Sequence, residues 1–265
     1  MPLAIEQVRR MRGGAQPHLM RCANEQYYVV KFQNNPQGVR ILATELLGRR
    51  LAARLGLPTA EAAIVEVRQD LIENTDELVM QLGRGNIRCQ PGLQFGSRYP
   101  GHPAKTSVHD FLPDDQLREV VNLTDFCGML VFDKWTCNTN GRQAIFFRAE
   151  EESRYRAQMI DHGFCFNAGE WNFPDAPLRG IYARHRVYES VRGLDDFDPW
   201  LTRIETKMTE DVFDEIGSEV PSDWYGSEIE ALEKLSQQLL RRRPRVRDLV
   251  ESAWKSSAQP FPNWK

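Results

Sequence analysis

The order of apolar and polar positions predicts strands in the first part of the chain and helices in the rest. Ala4, Ile5 and Val8 alternate loosely with polar residues, and residues 19–22 form a second short strand beyond a turn at Gly13-Gly14. Tyr27-Tyr28-Val29-Val30-Lys31-Phe32 is dense in β-branched and aromatic residues, which reads as a strand with one cation inside it. From 39 to 55 the period becomes helical: Ile41, Leu42, Leu46, Leu47, Leu51 and Leu55 share one side, and Gly56 and Pro58 stop the run. Residues 60–67 read as a strand, and 78–82 as a strand or part of a short helix. The stretch 83–98 is glycine-rich and irregular, with 92–97 strand-like and leading into a hinge. The turn-rich loop Tyr99-Pro100-Gly101-His102-Pro103 lies in a compositional shift at 97–106, which marks a boundary. Beyond it helices are expected over 114–122, over 125–135 with Thr124 as N-cap, and over 198–208, 210–216, 228–241 and 246–254. One hairpin interrupts them: a strand at 144–147, a turn at 150–154 too charged to be buried, and a returning strand at 155–160. The class is α+β.

Composition narrows the setting. The 265 residues suffice for one large domain or two lobes around a cleft, and 41% hydrophobic with 27% charged residues fits a globular chain. A net charge of -3 supplies no general basic field for nucleic acid or membrane. The apolar runs are too short to span a bilayer, and Met1-Pro2-Leu3-Ala4-Ile5-Glu6 lacks the basic start and apolar core of a signal peptide. Cys22, Cys89, Cys127, Cys137 and Cys165 are odd in number without Cys-x-x-Cys spacing, so a reducing cytoplasm is the expected compartment.

The hairpin joins two groups with chemical potential. Before it runs the polar loop Trp135-Thr136-Cys137-Asn138-Thr139-Asn140-Gly141-Arg142-Gln143, and after it stands Asp161-His162-Gly163. A polar loop and a carboxylate at the two ends of one hairpin can hold a metal and a phosphate chain between them. Lys31 is costly inside a strand unless paired. Either it faces outward at an edge, or it crosses to nucleotide phosphates and pairs with Glu45, a helix carboxylate beside Leu42 and Leu46. Gly13-Gly14 is either a plain hairpin turn or a place where backbone N–H groups approach phosphate. The arginines at 241, 242, 243, 245 and 247 are a charged helix end or, with aromatics such as Trp171, a nucleic-acid surface; the net charge argues against nucleic acid as the main partner. His102, His109, His162 and His185 show no His-x-x-x-His spacing, which puts a metal hydrolase last.

Taken in order, the glycine turn, strand lysine, helix glutamate, hinge, helical region, polar loop, hairpin and Asp-x-Gly resemble the HipA-like kinase domain. This bacterial family is related to the HipA Ser/Thr kinases and more distantly to phosphatidylinositol kinases. The motifs are Tyr-Val-Val-Lys-Phe at 28–32, Asn-Asn-Pro-Gln-Gly at 34–38, Thr-Glu-Leu-Leu at 44–47, Leu-Gly-Leu-Pro at 55–58, Phe-Gly-Ser at 95–97, Phe-Asp-Lys-Trp-Thr-Cys-Asn at 132–138 and Ile-Asp-His-Gly-Phe-Cys-Phe at 160–166. The resemblance implies a two-lobed protein-kinase-like fold. A small β-rich N-lobe with one helix would span 1–100, and a larger, mostly helical C-lobe 101–265. It also implies binding of ATP and Mg²⁺, and transfer of the γ-phosphate to a Ser/Thr hydroxyl of an unidentified protein or of the chain itself. Gly13 and Gly14 would approach the phosphates, Lys31 would bind the α- and β-phosphates, and Glu45 would hold Lys31. A hinge over 93–97, with Gln94, Phe95 and Gly96, would meet adenine through backbone groups, and Asp161 would hold the metal.

The loop departs from the family's Trp-x-x-Asn-x-Asp-Arg pattern. In that register Asn140 stands where the catalytic Asp belongs, and an amide cannot take a proton from a hydroxyl. A second register pairs Asp133 as base with Asn138 as metal ligand, against a purely structural role for Asp133 near a helix end. A third makes Gln143 the second metal ligand. The alternative function is therefore a pseudokinase, a nucleotide-binding interaction module with little or no phosphoryl transfer.

Overall fold

The computed structural model describes residues 1–226 and 228–265, and of Ile229 only the backbone. Its first part contains β1 (Ala4–Arg10), β2 (His18–Cys22), β3 (Tyr27–Lys31), α1 (Arg40–Leu55), β4 (Ala62–Val67), α2 (Gln69–Glu73), β5 (Val79–Leu82), β6 (Gly85–Arg88) and β7 (Gly92–Arg98). Five strands form an antiparallel sheet in the order β1-β2-β3-β7-β4, and β5-β6 is a separate hairpin. The sheet curls until its edges meet: Leu3 bridges to Glu66, whose N–H donates to the Pro2 carbonyl at 2.9 Å. Inside the curl Met20, Tyr28, Val30, Phe32, Val65 and Val67 form a small core. Successive strand residues point to opposite faces, so Val29 and Lys31 emerge on the other side. There α1 crosses, stopped by Gly56 at φ 78, whose N–H satisfies the carbonyls of Ala52 and Ala53.

The second part holds β8 (Thr106–His109), α3 (Asp114–Arg118), α4 (Asp125–Trp135), β9 (Gln143–Ala149), β10 (Arg156–Ile160), α5 (Asp198–Lys207), α6 (Glu210–Ser218), α7 (Ile229–Arg242) and α8 (Val246–Trp254). The strands β10-β9-β8 form a second sheet. Ala144, Phe146, Ala157 and Met159 face the main core, which is built around Phe126, Phe132 and Trp135. The leucines of α1 belong to this core as well.

Several expectations need correction. Residues 83–98 are not irregular: they supply β6 and β7, and β7 is an interior strand paired on both sides. A second helix, α2, and a further strand, β8, were not expected. Thr124 makes no side-chain cap; Asn122 instead donates to Asp125 Oδ2 and to the Ala157 carbonyl, both at 3.0 Å. The arginine cluster is structural. Arg242 donates to the carbonyls of Trp135 and Lys134 at 3.0 and 2.9 Å, capping the end of α4, and also pairs with Asp175. Arg243 donates to the Met208 carbonyl, Arg245 pairs with Asp175 and Arg247 with Asp198. No described helix is long and apolar enough to cross a membrane.

A Cβ on Gly96 would lie 2.4 Å from Val65 Cγ2 and 3.4 Å from Tyr28 Cδ1. Gly96→Ala is expected to destabilise the fold by about 1–3 kcal/mol through overpacking, read as a lower urea midpoint at unchanged slope.

Candidate functional site

Between the outer face of the curled five-stranded sheet and the face of the β8–β10 sheet turned away from the main core lies a cavity of about 420 Å³. Its walls include Val29, Lys31, Phe95 and Ser97 above, and Gln143, Ile145, Gln158, Ile160 and Asp161 below; the Gly13-Gly14 turn closes one side. The wall follows from strand register. Lys31 pairs with Phe95 and Val29 with Ser97, while Gln158 pairs with Ile145 and Ile160 with Gln143, so each set shares one face.

At the inner end sits a charge cluster. Lys31 Nζ donates to Glu45 Oε1 on α1 and to Asp161 Oδ1 at 2.9 Å. Glu45 has no exposed surface; its Oε2 accepts the His162 N–H at 3.1 Å and lies 3.5 Å from Arg49 Nε. Burial disfavours the Lys31 ammonium, but the Glu45 and Asp161 carboxylates outweigh it and hold its pKa above the ordinary value. Burial likewise opposes the Asp161 carboxylate, yet Lys31 keeps its pKa below the usual range. Asp161 has φ 55, a left-handed conformation uncommon outside glycine, and its Oδ2 accepts the Gln143 amide at 2.9 Å. Burial, with Arg142, Arg49 and Lys31 around it, pushes the His162 pKa well below its ordinary value.

The polar loop behaves differently. Asp133 is fully buried in α4, and Arg142 folds back to grip both carboxylate oxygens, with Nε to Oδ2 at 2.8 Å. Asn138 Nδ2 donates to Asp133 Oδ1 at 3.0 Å, and Asn138 Oδ1 accepts the Asn140 N–H at 3.0 Å. Arg142 also donates to the Ile160 carbonyl at 2.8 Å, which ties the loop to the residue before Asp161. Gly180 packs so closely that a Cβ there would fall 2.4 Å from Asp133 Cβ. Asp133 and Asn138 are thus enclosed and engaged with Arg142, Asn140 and each other, an arrangement that fits the structural role for Asp133 better than the second register. Asn140 is exposed, with its carbonyl oxygen accepting the Gly141 N–H at 2.9 Å.

The structure brings Gly13, Gly14, Lys31, Phe95, Gln143 and Asp161 to one cavity, with Glu45 behind Lys31. It does not bring Gln94 or Gly96 there. Gln94 faces away, fully buried, accepting the Gln33 N–H and donating to the Gln90 carbonyl, both at 2.8 Å. In their place Arg98, the last paired residue of β7, and Tyr99 and Pro100, which follow it, line the cavity. Sequence reasoning missed Arg49, whose only signal was its i,i+4 spacing from Glu45, and Arg142, whose pairing nothing local announces. The histidines do not converge: His102 meets Tyr27, His109 meets Tyr155 and His162 packs on Phe132. Among the described residues no group of three or more His, Cys, Asp or Glu is placed to hold a metal.

Removing one charge of a buried pair leaves the other uncompensated. Asp133→Asn should therefore destabilise the fold by about 3–5 kcal/mol, read by urea denaturation. A stability within 1 kcal/mol of wild type would return Asp133 to the list of candidate bases.

The chain matches the family model described as HipA-like kinase over residues 4–254. Among solved structures it is similar to the Helicobacter pylori proinflammatory kinase CtkA, with 17% identity, a TM-score of 0.60 and 96% of each chain covered. It is also similar to the golgi casein kinase, with 14% identity, a TM-score of 0.56, and 96% of this chain and 74% of that one covered. No curated protein sequence matches. At these identities the likeness is one of fold, and the fold is protein-kinase-like.

Proposed function

The chain belongs to the HipA-like kinase family, and from that premise we propose that it binds ATP with Mg²⁺ in the cleft between an N-lobe over 1–100 and a C-lobe over 101–265. The carrying observation is that Lys31, Glu45 and Asp161 form one charge cluster at the end of a cavity that the Gly13-Gly14 turn also lines. Lys31 would take the α- and β-phosphates while Glu45 keeps hold of it. Asp161, with the Gln143 amide rotated to present its oxygen, would hold the ion. This donor set suits Mg²⁺, which is commonly bound through one or two carboxylates, substrate phosphates and waters rather than a closed protein cage. When bound, the ion neutralises charge developing on the phosphates. Transfer to a Ser/Thr hydroxyl of an unidentified protein, in a cytoplasmic setting, follows as the activity.

The loop favours a second reading. With Asp133 sealed and Asn140 in the family's Asp position, the chain offers no general base at that point. Such a base is worth about 10²–10⁴-fold in rate, so positioning alone supports slow transfer, or none, as in a nucleotide-binding interaction module.

Saturating MgATP at about 100 times its Kd should stabilise the fold by about 2.7 kcal/mol. Lys31→Ala, which leaves Glu45 short of a cation and so lowers the ligand-free melting temperature, and Asp161→Ala should each lose that stabilisation, read as the shift between the ligand-free and MgATP-saturated melts of the same variant. A wild-type melt unmoved by millimolar MgATP would count against nucleotide binding, and an unchanged mutant response would mean that residue is misassigned.

If Asn140 occupies the base position, Asn140→Asp should raise ADP formation in proportion to the base's worth, about 10²-fold or more, with little change in nucleotide affinity. An unchanged rate from Asn140→Asp, beside measurable wild-type turnover, would place the base elsewhere.

A further inference from the structure

Resting on the nucleotide reading, the cavity itself indicates which base it takes and which residue reads it. Kinase-type clefts read a base with the backbone that follows the last sheet strand, but that backbone is occupied here. The Arg98 N–H donates to the Glu61 carbonyl at 2.9 Å, the Tyr99 N–H donates to the Tyr27 carbonyl at 2.8 Å, and Pro100 has no N–H. A donor to the base must therefore come from a side chain.

Between Val29 above and Ile145 and Ile160 below, the cavity walls are apolar and suit a flat ring. Gln158 sits on the same strand face as Ile160, directly across from Ile145, and lines the cavity; its Oε1, turned almost wholly out of contact with solvent, has no hydrogen-bond partner among the described residues. Buried polar atoms in native proteins are nearly always satisfied, and an orphaned amide oxygen on a cavity-lining residue is satisfied once the side chain turns its amide toward a ligand in that cavity. An amide in that position is a two-point reader, with one acceptor and one donor side by side.

We propose that Gln158 reads adenine, its Oε1 accepting from the 6-amino group and its Nε2 donating to N7. An amide side chain and the adenine edge match in this way. Guanine presents two acceptors, O6 and N7, on the same edge. Either orientation of the amide then sets an acceptor against an acceptor, so the cleft selects ATP over GTP.

The test compares dissociation constants by calorimetry for the Mg²⁺ complexes of ATP, GTP and purine riboside triphosphate, which is ATP without the 6-amino group. Wild type should bind purine riboside triphosphate about tenfold more weakly than ATP, the worth of one hydrogen bond, and GTP more weakly still. Gln158→Leu should weaken ATP by a similar factor and bring the ratio of ATP to purine riboside triphosphate close to one. Gln158→Met repeats the measurement in case the branched side chain disturbs β10. A ratio in the variants equal to that of wild type, or no preference in wild type, overturns the assignment and leaves base reading to the carbonyls of residues 98–100. Failure of wild type to bind any of the three overturns the nucleotide reading itself, and this assignment with it.

Discussion

Glu45 has no surface in contact with water, and a carboxylate so placed keeps its charge only if cations come to it. Lys31 arrives from β3, Arg49 approaches from the next turn of α1, and the His162 backbone N–H comes from the end of the hairpin. One buried charge thereby sets three elements in register. If α1 shifts, Lys31 loses its partner and Asp161 loses the cation that keeps its own charge favourable.

A second buried pair does the opposite work. Arg142 and Asp133 bond to each other through both carboxylate oxygens, while Asn138 donates to Asp133 and Arg142 donates to the Ile160 carbonyl. This pins the polar loop to the strand that delivers Asp161, and Arg242 holds the same loop from behind by capping α4. The loop is therefore well ordered yet presents no carboxylate.

Much of this was legible in the chain, and for a physical reason. The period-two run at 27–32, the period-3.6 run of α1 and the hairpin around 150–154 are local patterns, dictated by which face each residue must bury. Lys31, Glu45 and Asp161 could be chosen because ionisable groups inside apolar runs demand partners. The order of the chain then suggested that they partner one another.

What no local pattern carried was decided by pairings across long separations. Whether 92–98 is a hinge or an interior strand depends on β3 and β4 taking both its edges, and on Val65 and Tyr28 crowding Gly96. Whether Asp133 is a base or a strut depends on Arg142 turning back after the loop to reach it. In the sequence both carboxylates, Asp133 and Asp161, stand beside apolar runs and look alike. The tertiary structure separates them, because a carboxylate's chemistry is set by which cation reaches it and whether a ligand can reach it too, and neither is a property of its neighbours in the chain.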